Sequence, residues 1–478
     1  MSATATTSAL LPTKVAVLGF ARSGRALAQA LLERGIAVTV VDDRPRSAFE
    51  GTAELEARGV RFLFARSSEE ALDGAGWLAL SPGVPPTHPL VVAGRRRGLP
   101  VLSELEIAWR IAEEESTEHH RWVAVTGTNG KSTTTAWIAE ILRLASRPVA
   151  LAGNIGAPLS GFLRDRGPRD FVCEVSSFQL ETVERFRPDV AVLTNVTPDH
   201  LDRYASMEEY AAVKERIFAN QREEDFAVVS GDDPIAARAK SRARRVPFSR
   251  RAPASGGTWC EKGWLYSEAR GRRREVLAAD RLALPGAHNL ENALAALAAA
   301  DFLEAPPTAI EKGLIEFRGL PHRTELVAEA GGVQWVNDSK GTNVDATLKS
   351  LEGRREKSVL LILGGRDKHG DFSRLAAPIA RIARIVLTIG EAAPKIGEAI
   401  SGSAPIESCA TMDNAVALAA ELARPGDTVL LSPACASFDQ YANFEERGAH
   451  FTALAKQAAE RDLPPRGPDT GPVIRHGS

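Results

Sequence analysis

Short runs of apolar, β-branched residues that each break into a glycine-rich or polar turn recur along the chain. Such runs are "KVAVLGF" from Lys14, "VAVTGTNGKS" from Val123, "VAVLTNVTPDH" from Val190 and "SVLLILGGRD" from Ser358. Helical patterns separate them, and strands that alternate with helices form parallel sheets covered by helices on both faces. The sequence therefore predicts an α/β protein whose functional side chains lie at the carboxyl ends of its strands.

Three domains are expected from the length of the chain and from changes in its texture. With 478 residues the chain is long enough for two or three domains. We predict a Rossmann-like N-terminal domain over residues 1–112, a central P-loop ATPase-type parallel-sheet domain over 113–319, and a C-terminal Rossmann-like α/β domain over 320–478. The acidic run Glu113–Glu118 is interpreted as a linker. The Pro- and Gly-rich tail from about residue 463 is predicted to be disordered.

Composition argues against several classes of function. The formal net charge is −2, and the basic runs Arg242–Arg251 and Arg272–Arg274 lack the aromatic interleaving that is typical of RNA-binding modules, so no nucleic-acid partner is expected. The four cysteines include no C-x-x-C pair, which argues against a disulfide framework or a zinc site. The most apolar helix pattern, after Asn292, is too short to cross a bilayer. We therefore expect a cytoplasmic, monomeric protein without membrane insertion.

A glycine turn between an apolar strand and a helix, in "VAVTGTNGKSTTTAWIAE" from Val123, indicates a phosphate site. Turn N–H groups and a helix N-terminus both bind anions. Only two residues separate Gly127 from the triplet "GKS", whereas the common P-loop has four at this place. We predict that Lys131 lies near nucleotide phosphates and that Ser132 offers a hydroxyl to Mg²⁺.

Four further features are ambiguous when each is taken alone. Glu174 follows the strand "FVCE", where it is either a Mg²⁺ ligand or a solvated carboxylate. His200 ends "NVTPDH" and is either a ligand or a plain hydrogen-bonding residue. Lys214, in the helix "MEEYAAVKERIF", is by default a surface lysine. The turn "GFARSG" is a dinucleotide-type fingerprint in which Ala21 replaces the second glycine, or a βαβ turn without a ligand.

Eight motifs together point to one family. They are "TGTNGKST", "GNIG", "EVSSFQLE", "NVTPDHLDRY", "AHNLENALAA", "LPHR", "NDSKGTN" and "LSPACASFDQYANFEERG", in this order. This order resembles the Mur ligase family, the ATP-dependent amide-forming enzymes of peptidoglycan precursor synthesis, over about Lys14 to Gln457. "SSFQLE", "DHLDRY" and "SPACASFDQ" resemble its D-glutamate-adding branch. The resemblance implies a ligase that adds D-glutamate to UDP-N-acetylmuramoyl-L-alanine through an acyl phosphate.

The resemblance also implies the residues of a catalytic centre that uses ATP and two Mg²⁺ ions. Lys131 would bind the γ-phosphate, Ser132 and Glu174 would bind one Mg²⁺, and His200 would bind a second. Lys214 would be carbamylated, because a carbamate holds Mg²⁺ where an ammonium repels it, and this requires a lowered pKa. The implied ATP contacts are Gly127, Thr128, Asn129, Gly130, Lys131, Ser132, Thr133, Asn289, Asn292, Arg323 and Asp338.

The remaining implied contacts belong to the two other substrates. The UDP substrate would contact Arg22, Ser23, Gly24, Asp42, Asp43, Arg44, Gly83 and Asn154. D-Glutamate would contact Lys340, Thr342, Lys368, Ser437, Phe438 and Phe444, and lysines suit a substrate with two carboxylates. Ala21 departs from the common family wording, which affects the expected backbone approach to the diphosphate.

Three other interpretations remain open. A ligase of the same fold could add another amino acid, or glutamate onto folate, although the "DNPR"-like motif of the diamino-acid branch is absent from the chain. A nicotinamide-dependent oxidoreductase would explain the first segment but not the P-loop or "NDSK". A non-catalytic nucleotide sensor would need broken phosphate or metal residues, whereas Lys131, Glu174, His200 and Lys214 all stand.

Overall fold

The structure, a computed structural model, describes residues 11–65, 68–116, 119–164, 167, 169–200, 203–367 and 370–460. The chain forms two compact units, Met1–Phe317 and Arg318–Ser478. Two sheets lie in the first unit and one in the second, which confirms the predicted α/β class. The domain boundaries after residues 112 and 319 stay predictions. Lys368 and the tail predicted to be disordered lie outside the described residues.

The first sheet has five parallel strands in the order β3-β2-β1-β4-β5. Its strands are β1 (Lys14–Leu18), β2 (Ala37–Asp42), β3 (Arg61–Phe64), β4 (Trp77–Leu80) and β5 (Val101–Ser103). Its helices are α1 (Arg22–Leu32), α2 (Thr52–Ala57), α3 (Pro89–Arg96) and α4 (Glu104–Glu115). Val15 and Val17 are buried in the core on one face of the sheet, and Ala16 and Leu18 are buried in the core on the other face, which is why these strands are apolar throughout.

The central sheet has nine strands in the order β14-β13-β12-β11-β10-β9-β6-β8-β7. Its strands are β6 (Arg121–Thr126), β7 (Val149–Gly153), β8 (Asp170–Glu174), β9 (Val190–Leu193), β10 (Phe226–Ser230), β11 (Arg244–Ser249), β12 (Thr258–Glu261), β13 (Trp264–Ser267) and β14 (Arg274–Ala278). Its helices are α5 (Lys131–Leu144), α6 (Ser177–Leu180), α7 (Met207–Glu215), α8 (Ala287–Phe302) and α9 (Pro307–Glu316). Strands β6 to β12 pair in parallel, while β13 and β14 form an antiparallel extension.

The second unit contains a six-stranded sheet in the order β15-β16-β20-β17-β18-β19. Its strands are β15 (Glu325–Ala330), β16 (Val333–Asn337), β17 (Val359–Gly364), β18 (Ala383–Ile389), β19 (Ile406–Ala410) and β20 (Thr428–Leu431). Its helices are α10 (Val344–Leu351), α11 (Ala376–Ile382), α12 (Ala393–Ala399), α13 (Met412–Leu422) and α14 (Phe444–Glu460). All its strand pairs are parallel except β15 with β16. Within the part of the chain that the structure describes, no helix has both the length and the apolar character to cross a membrane.

The prediction that the acidic run Glu113–Glu118 is a linker was wrong in its first half. Residues 113–115 form the last turn of α4, which starts with Ser103 capping the N–H of Glu106. Leu105, Ile107 and Ile111 lie fully buried on the same helix. Burial of this apolar face stabilises the helix to its end, and the three acids occupy only its exposed or half-buried side.

Two buried carboxylates of α4 connect the first sheet to the central sheet. Glu106, with no exposed surface, accepts the backbone N–H groups of residues 184, 185 and 186 at 2.9–3.0 Å and the Arg110 guanidinium at 2.6 Å. Glu104 accepts the N–H and the hydroxyl of Ser160 at 2.7 and 2.6 Å. Burial raises the pKa of Glu104, and the Ser160 bonds act against that rise. The two sheets of the first unit are therefore joined by acceptors that water does not reach.

We expect Glu106→Gln to lower the free energy of unfolding by about 3 kcal/mol, because one oxygen acceptor is replaced by a donor facing buried N–H groups. Urea unfolding followed by tryptophan fluorescence measures this change. Glu184→Gln is the matched control: Glu184 pairs with the same Arg110, but its side chain is 51% exposed, so its loss costs less than about 1 kcal/mol. Equal effects of the two changes would contradict the role assigned to Glu106.

Candidate active site

The loop between β6 and α5 has glycines where no other residue fits. Gly127 has φ +146°, and a Cβ there would lie 1.9 Å from the hydroxyl oxygen of Thr194. Gly130 has φ +81° and caps α5, and a Cβ there would lie 2.3 Å from Oδ1 of Asn292. The loop therefore packs its backbone directly against β9 and α8, which leaves the N-terminus of α5 at its concave side for an anion.

Side chains at the end of β9 hold this loop in place. The N–H of Asn129 donates to Oδ1 of Asn195 at 2.9 Å, and the Asn195 amide donates back to the Asn129 carbonyl at 3.1 Å. Thr194 donates to the same carbonyl at 2.6 Å, and the Thr128 hydroxyl exchanges bonds with the backbone of Thr197 at 3.0 Å. The sequence analysis did not assign Thr194, Asn195 or Thr197. Their position in the quoted run "VAVLTNVTPDH", directly after its strand, was the available signal.

Ser132 and Glu174 form a buried pair beside the loop, and the exposed residue Asn154 contacts it. The Ser132 hydroxyl donates to Oε2 of Glu174, and the Asn154 amide donates to Oε1 at 2.8 Å. Glu174 ends β8 and is 1% exposed, and Ser132 is fully buried at the start of α5. A hydroxyl and a carboxylate are the hard oxygen donors that Mg²⁺ prefers. This pair therefore fits the divalent ion that the resemblance implies.

Lys131 and Lys214 donate to the same acceptor, the carbonyl oxygen of Gly127, at 2.9 and 2.8 Å. Lys131 also donates to the Thr128 carbonyl at 2.7 Å. Lys214 is 1% exposed, so its default interpretation as a surface lysine was wrong. Burial and then the charge of Lys131 hold the pKa of Lys214 well below its usual value, against the opposite effect of nearby acids. Lys214 is therefore placed as an amine that loses its proton readily.

His200 lies near the Tyr210 ring that Lys214 contacts. The Lys214 ammonium lies 4.4 Å from the centre of the Tyr210 ring, and the His200 ring centre lies 6.3 Å from it. His200 also packs edge-on against Phe178 at 4.8 Å, and its side chain is 42% exposed. Among the described residues, no three His, Cys, Asp or Glu side chains converge on one point. The four predicted metal ligands are instead a serine, a glutamate, a histidine and a lysine, and each lies on a different segment of the chain.

The predicted adenine contacts lie on α8, against the start of α5. Asn292 accepts a bond from Thr134 at 3.3 Å and donates to Oδ1 of Asn289 at 3.5 Å. Asn289 in turn donates to the carbonyl of Pro285 at 2.8 Å. Thr133, predicted as an ATP contact, is half-buried next to Thr134 on α5. Gly130 lies close to Asn292, and Asn292 contacts Asn289. The structure thus brings the loop glycine and the two predicted asparagines together.

The predicted diphosphate turn lies between β1 and α1. Ala21 has φ −78°, an ordinary extended conformation, so its replacement of glycine introduces no backbone strain. Gly24 is required, because a Cβ there would lie 1.9 Å from the Gly19 carbonyl oxygen. Arg22 donates to the Gly156 carbonyl at 2.5 Å, in the "GNIG" loop that carries Asn154. Ser23 is half-buried on the first turn of α1.

The acidic end of β2 is organised by its own neighbours. Asp42 accepts the N–H of Phe20 at 2.7 Å and the side chain of Arg44 at 2.9 and 3.0 Å. Burial acts to raise the pKa of Asp42, but the bonds from Arg44 and Phe20 outweigh it and lower that pKa. Asp43 lies 3.1 Å from the His88 ring nitrogen, and Gly83 is exposed in the turn after β4 with open space at its Cβ position.

In the second unit, Asp338 follows β16 and is a buried acceptor. It accepts bonds from the hydroxyls of Ser350 and of Ser432, the latter at 2.8 Å, and from the N–H of Thr324 at 3.2 Å. Burial raises the pKa of Asp338, although these bonds and the Arg323 charge act to lower it. Through these hydrogen bonds the Asp338 carboxylate fixes the backbone that leads into Lys340.

The predicted D-glutamate contacts that the structure describes lie on two loops of the second unit. Lys340 lies 5.1 Å from the centre of the Phe444 ring, and the Thr342 N–H donates to the Lys340 carbonyl at 2.8 Å. Ser437 is 2% exposed, whereas Phe438 next to it is 61% exposed. These residues follow β16 and β20, which are neighbours in the sheet.

Arg447, a residue that the sequence analysis missed, joins these two loops. Its guanidinium, 1% exposed, donates to the Ser339 hydroxyl at 3.0 Å and to the carbonyls of Ser339 and Cys435 at 2.8 and 3.1 Å. Burial lowers the pKa of Arg447 to about 10. The position of Arg447 within the quoted motif "NFEERG" was a signal, but a helix residue with this pattern gives no indication of full burial.

Comparison with known proteins identifies the family. The description "Mur ligase MurD-like, N-terminal domain" matches residues 13–103, "Mur ligase middle domain" matches 125–300, and "Mur ligase, glutamate ligase domain" matches 322–435. The chain belongs to the Mur ligase family. The predicted resemblance is thereby confirmed, and the three matches follow the three sheets in order.

Two relatives of this Mur ligase share one name. The UDP-N-acetylmuramoylalanine–D-glutamate ligase of Pelotomaculum thermopropionicum is 44% identical over 447 residues, which is 92% of this chain and 97% of the relative. The enzyme of the same name from Anaeromyxobacter dehalogenans is 43% identical over 465 residues, which is 94% of this chain and 98% of the relative.

Solved structures of more distant Mur ligases have the same fold. MurF ligase from Thermotoga maritima, in complex with ADP, has a TM-score of 0.59 at 18% identity, covering 89% of this chain and 95% of that one. UDP-N-acetylmuramate-alanine ligase MurC from Thermotoga maritima has a TM-score of 0.57 at 20% identity, covering 93% of this chain and 99% of that one.

We expect Gly130→Ala to weaken binding of a non-hydrolysable ATP analogue at least about tenfold, equivalent to 1.4 kcal/mol. The added methyl group would displace Asn292 and open the loop. Isothermal titration calorimetry measures the affinity. Gly263→Ala is the matched control, because Gly263 has a similar φ of +80° with nothing within 4 Å of its Cβ position. Unchanged affinity in Gly130→Ala would contradict the nucleotide site.

Proposed function

We propose that this Mur ligase joins D-glutamate to UDP-N-acetylmuramoyl-L-alanine, with cleavage of ATP to ADP and phosphate. The observation that carries the proposal is the buried Ser132–Glu174 pair beside the glycine loop, to which Asn154 donates a hydrogen bond, in a chain at least 43% identical to two ligases of that name. ATP dependence follows from membership of the family, and Mg²⁺ is the expected counter-ion of the nucleotide.

In the first step, the alanyl carboxylate of the UDP substrate attacks the γ-phosphorus of ATP. An oxygen–phosphorus bond forms to give an acyl phosphate, the bond to the β-phosphate oxygen breaks, and ADP leaves. Two anions must approach each other, so this step depends on positioning and on neutralised charge. Lys131 supplies a fixed positive charge at the mouth of the loop, and Ser132 and Glu174 would hold Mg²⁺, which neutralises phosphate charge when bound.

In the second step, the amino group of D-glutamate attacks the carbonyl carbon of the acyl phosphate. A tetrahedral intermediate forms, the carbon–oxygen bond to phosphate breaks, and the nitrogen loses a proton, which leaves an amide. Lys340 and Thr342 on one loop and Ser437 on the other offer an ammonium and hydroxyl groups for the two carboxylates of D-glutamate. Lys368 is proposed for the same role from its motif alone.

We propose that Lys214 reacts with CO₂ to form a carbamate that serves as a ligand to Mg²⁺. Burial and the charge of Lys131 favour the neutral amine that this reaction needs. The carbamate would place two anionic oxygens beside Lys131 and the Gly127 carbonyl, and so would exchange a repulsion between two cations for an attraction. A second Mg²⁺ near His200 belongs to the same proposal.

The first sheet is proposed to bind the uridine diphosphate part of the substrate. Arg22, Ser23 and Gly24 lie at the N-terminus of α1, where backbone N–H groups and the helix dipole favour an anion. Asp43 and Arg44 follow β2 and Gly83 lies in the turn after β4, and these two strands flank β1 in the same sheet. The cytoplasmic location and the monomeric state remain predictions.

The reaction is tested by phosphate release with ATP, Mg²⁺ and UDP-N-acetylmuramoyl-L-alanine. D-Glutamate, L-glutamate, L-alanine, meso-diaminopimelate and L-lysine are compared in parallel. We expect turnover with D-glutamate alone. Turnover with another amino acid would keep the ligase chemistry and overturn the substrate, and release with none of them would leave the folate-type ligase or the nucleotide sensor.

We expect Lys214→Ala to lose at least about 99% of the activity, which is a barrier increase of roughly 2.7 kcal/mol, because a ligand to Mg²⁺ is removed. A short carboxylic acid such as acetate should restore part of the activity, since it supplies the missing oxygens. The steady-state rate with and without added acid is the measurement. Lys312→Ala is a control on an exposed helix lysine, and full activity in Lys214→Ala would remove Lys214 from the mechanism.

A further inference from the structure

Two of the motifs that indicate the D-glutamate-adding branch, "SSFQLE" and "DHLDRY", contain side chains without a role in the proposed reaction. They are Phe178 and Glu181 in the first motif and Arg203 and Tyr204 in the second. Glu181 follows the short helix α6, and the other pair lies three and four residues after His200. The structure brings all four side chains together.

The carboxylate of Glu181 is the centre of this group. It accepts two bonds from the Arg203 guanidinium, at 2.8 and 2.6 Å, and a third from the Tyr204 hydroxyl at 2.7 Å. The side chains of Glu181 and Arg203 are each 15% exposed, and Tyr204 is 4% exposed. A two-pronged, largely buried ion pair of this kind fixes orientation as well as distance. We call Glu181, Arg203 and Tyr204 the carboxylate clamp.

The carboxylate clamp is connected to His200 in two ways. The N–H groups of Arg203 and Tyr204 donate to the His200 carbonyl at 2.9 and 3.1 Å, so the backbone is held. The Arg203 guanidinium lies 4.2 Å from the centre of the Phe178 ring, and that ring packs against the imidazole of His200. The clamp thus contacts His200 through its backbone and, by way of Phe178, through its ring.

His200 needs such support because its backbone is strained. Its φ is +54°, a left-handed conformation that costs a residue with a Cβ about 1–2 kcal/mol. A conformation of this kind persists only when surrounding contacts favour it. Arg203 also lies 3.5 Å from the carbonyl of Val84, next to Gly83 in the turn after β4. The carboxylate clamp therefore lies between His200 and the turn proposed to bind the UDP substrate.

We propose that the carboxylate clamp is a positioning device for this ligase. It holds the His200 side chain in the position from which that side chain binds the divalent ion at the nucleotide phosphates. The inference rests on the proposed function, because His200 has this role only in a metal-dependent ligase. Glu181, Arg203 and Tyr204 act through His200, and none of them is required to touch the reacting atoms. The ion pair between Glu181 and Arg203 also joins the two motifs directly.

Three variants separate positioning from other roles. Arg203→Lys keeps the charge but cannot form the two-pronged bond, Glu181→Gln keeps the shape but removes the charge, and Tyr204→Phe removes one hydrogen bond. If the pair acts as a unit, the first two variants have similar effects, and the double variant is little worse than either. Direct substrate binding by Arg203 would instead raise the KM for the UDP substrate in Arg203→Lys and not in Glu181→Gln.

The first readout is Mn²⁺ binding, measured by electron paramagnetic resonance with the full-length protein, a non-hydrolysable ATP analogue and no amino acid. We expect Arg203→Lys and Glu181→Gln to weaken Mn²⁺ binding about tenfold, as for other residues that orient metal-ligating histidines. The second readout is steady-state kinetics, in which kcat should fall about tenfold or more while the KM for ATP changes less than about twofold.

The control for stability is Glu115→Gln in a similar ion pair of the same unit. Arg34 and Glu115 form a two-pronged pair at 2.6 and 2.7 Å with side chains 8% and 20% exposed. We expect this variant to change Mn²⁺ binding and kcat less than about twofold, even where its thermal midpoint falls as much as in the clamp variants. A parallel loss in Glu115→Gln would reduce the clamp to a contribution to stability and overturn the proposal.

The proposal and the proposed function fail in different ways. Absence of turnover by the unaltered enzyme with D-glutamate would refute the proposed substrate, while the Mn²⁺ measurements would still decide the clamp. Unchanged Mn²⁺ binding in folded Arg203→Lys and Glu181→Gln would overturn the clamp. If these variants do not fold, Tyr204→Phe decides: an unaltered Mn²⁺ affinity and kcat refute the clamp, and a loss in both supports it.

Discussion

The carbonyl oxygen of Gly127 is the contact on which the candidate site depends. It accepts hydrogen bonds from the ammonium groups of Lys131 and Lys214, and it can do so only because the Gly127 backbone adopts a conformation reserved for glycine. One partial negative charge is thus shared by two cations, of which the more buried, Lys214, has its pKa lowered. The electrostatic character of the centre follows from this crowding: the two lysines need further negative charge, which a nucleotide or a carbamate supplies.

The register of the central sheet provides the geometry. Strand β6 pairs in parallel with β8 and β9, so Gly127, Glu174 and Thr194 emerge at one edge of the sheet. Strand β7 pairs with β8 and brings Asn154 beside Glu174. A parallel sheet has this property in general, because all its carboxyl ends meet at the same edge. The chemistry of the site is therefore distributed over separate motifs that only the sheet brings together.

Much of this organisation could be predicted from the sequence, because the signals are local. The apolar runs predicted the strands, and the glycine spacing predicted the phosphate loop. The burial of Lys214 could not be predicted from its helix, since α7 has no strong apolar face and its depth depends on packing against Tyr210 and the loop. The acidic run that begins in the last turn of α4 was misread because charge alone was weighed, whereas the buried apolar residues before it continue the helix. The bonds of Glu181 to Arg203 and of Asn129 to Asn195 join residues that are 22 and 66 positions apart, a separation that composition and periodicity do not reach.

The two sides of the junction between the sheets of the first unit contribute different kinds of group. Glu106 contributes a side chain, whereas residues 184–186 contribute only their backbone N–H groups. Every residue except proline offers that N–H. Substitutions in residues 184–186 therefore keep these bonds, whereas a substitution of Glu106 removes them. A chimaera that joins the first sheet of one ligase to the central sheet of a divergent relative therefore needs to preserve this single carboxylate, rather than a matched pair, to rebuild these bonds of the junction.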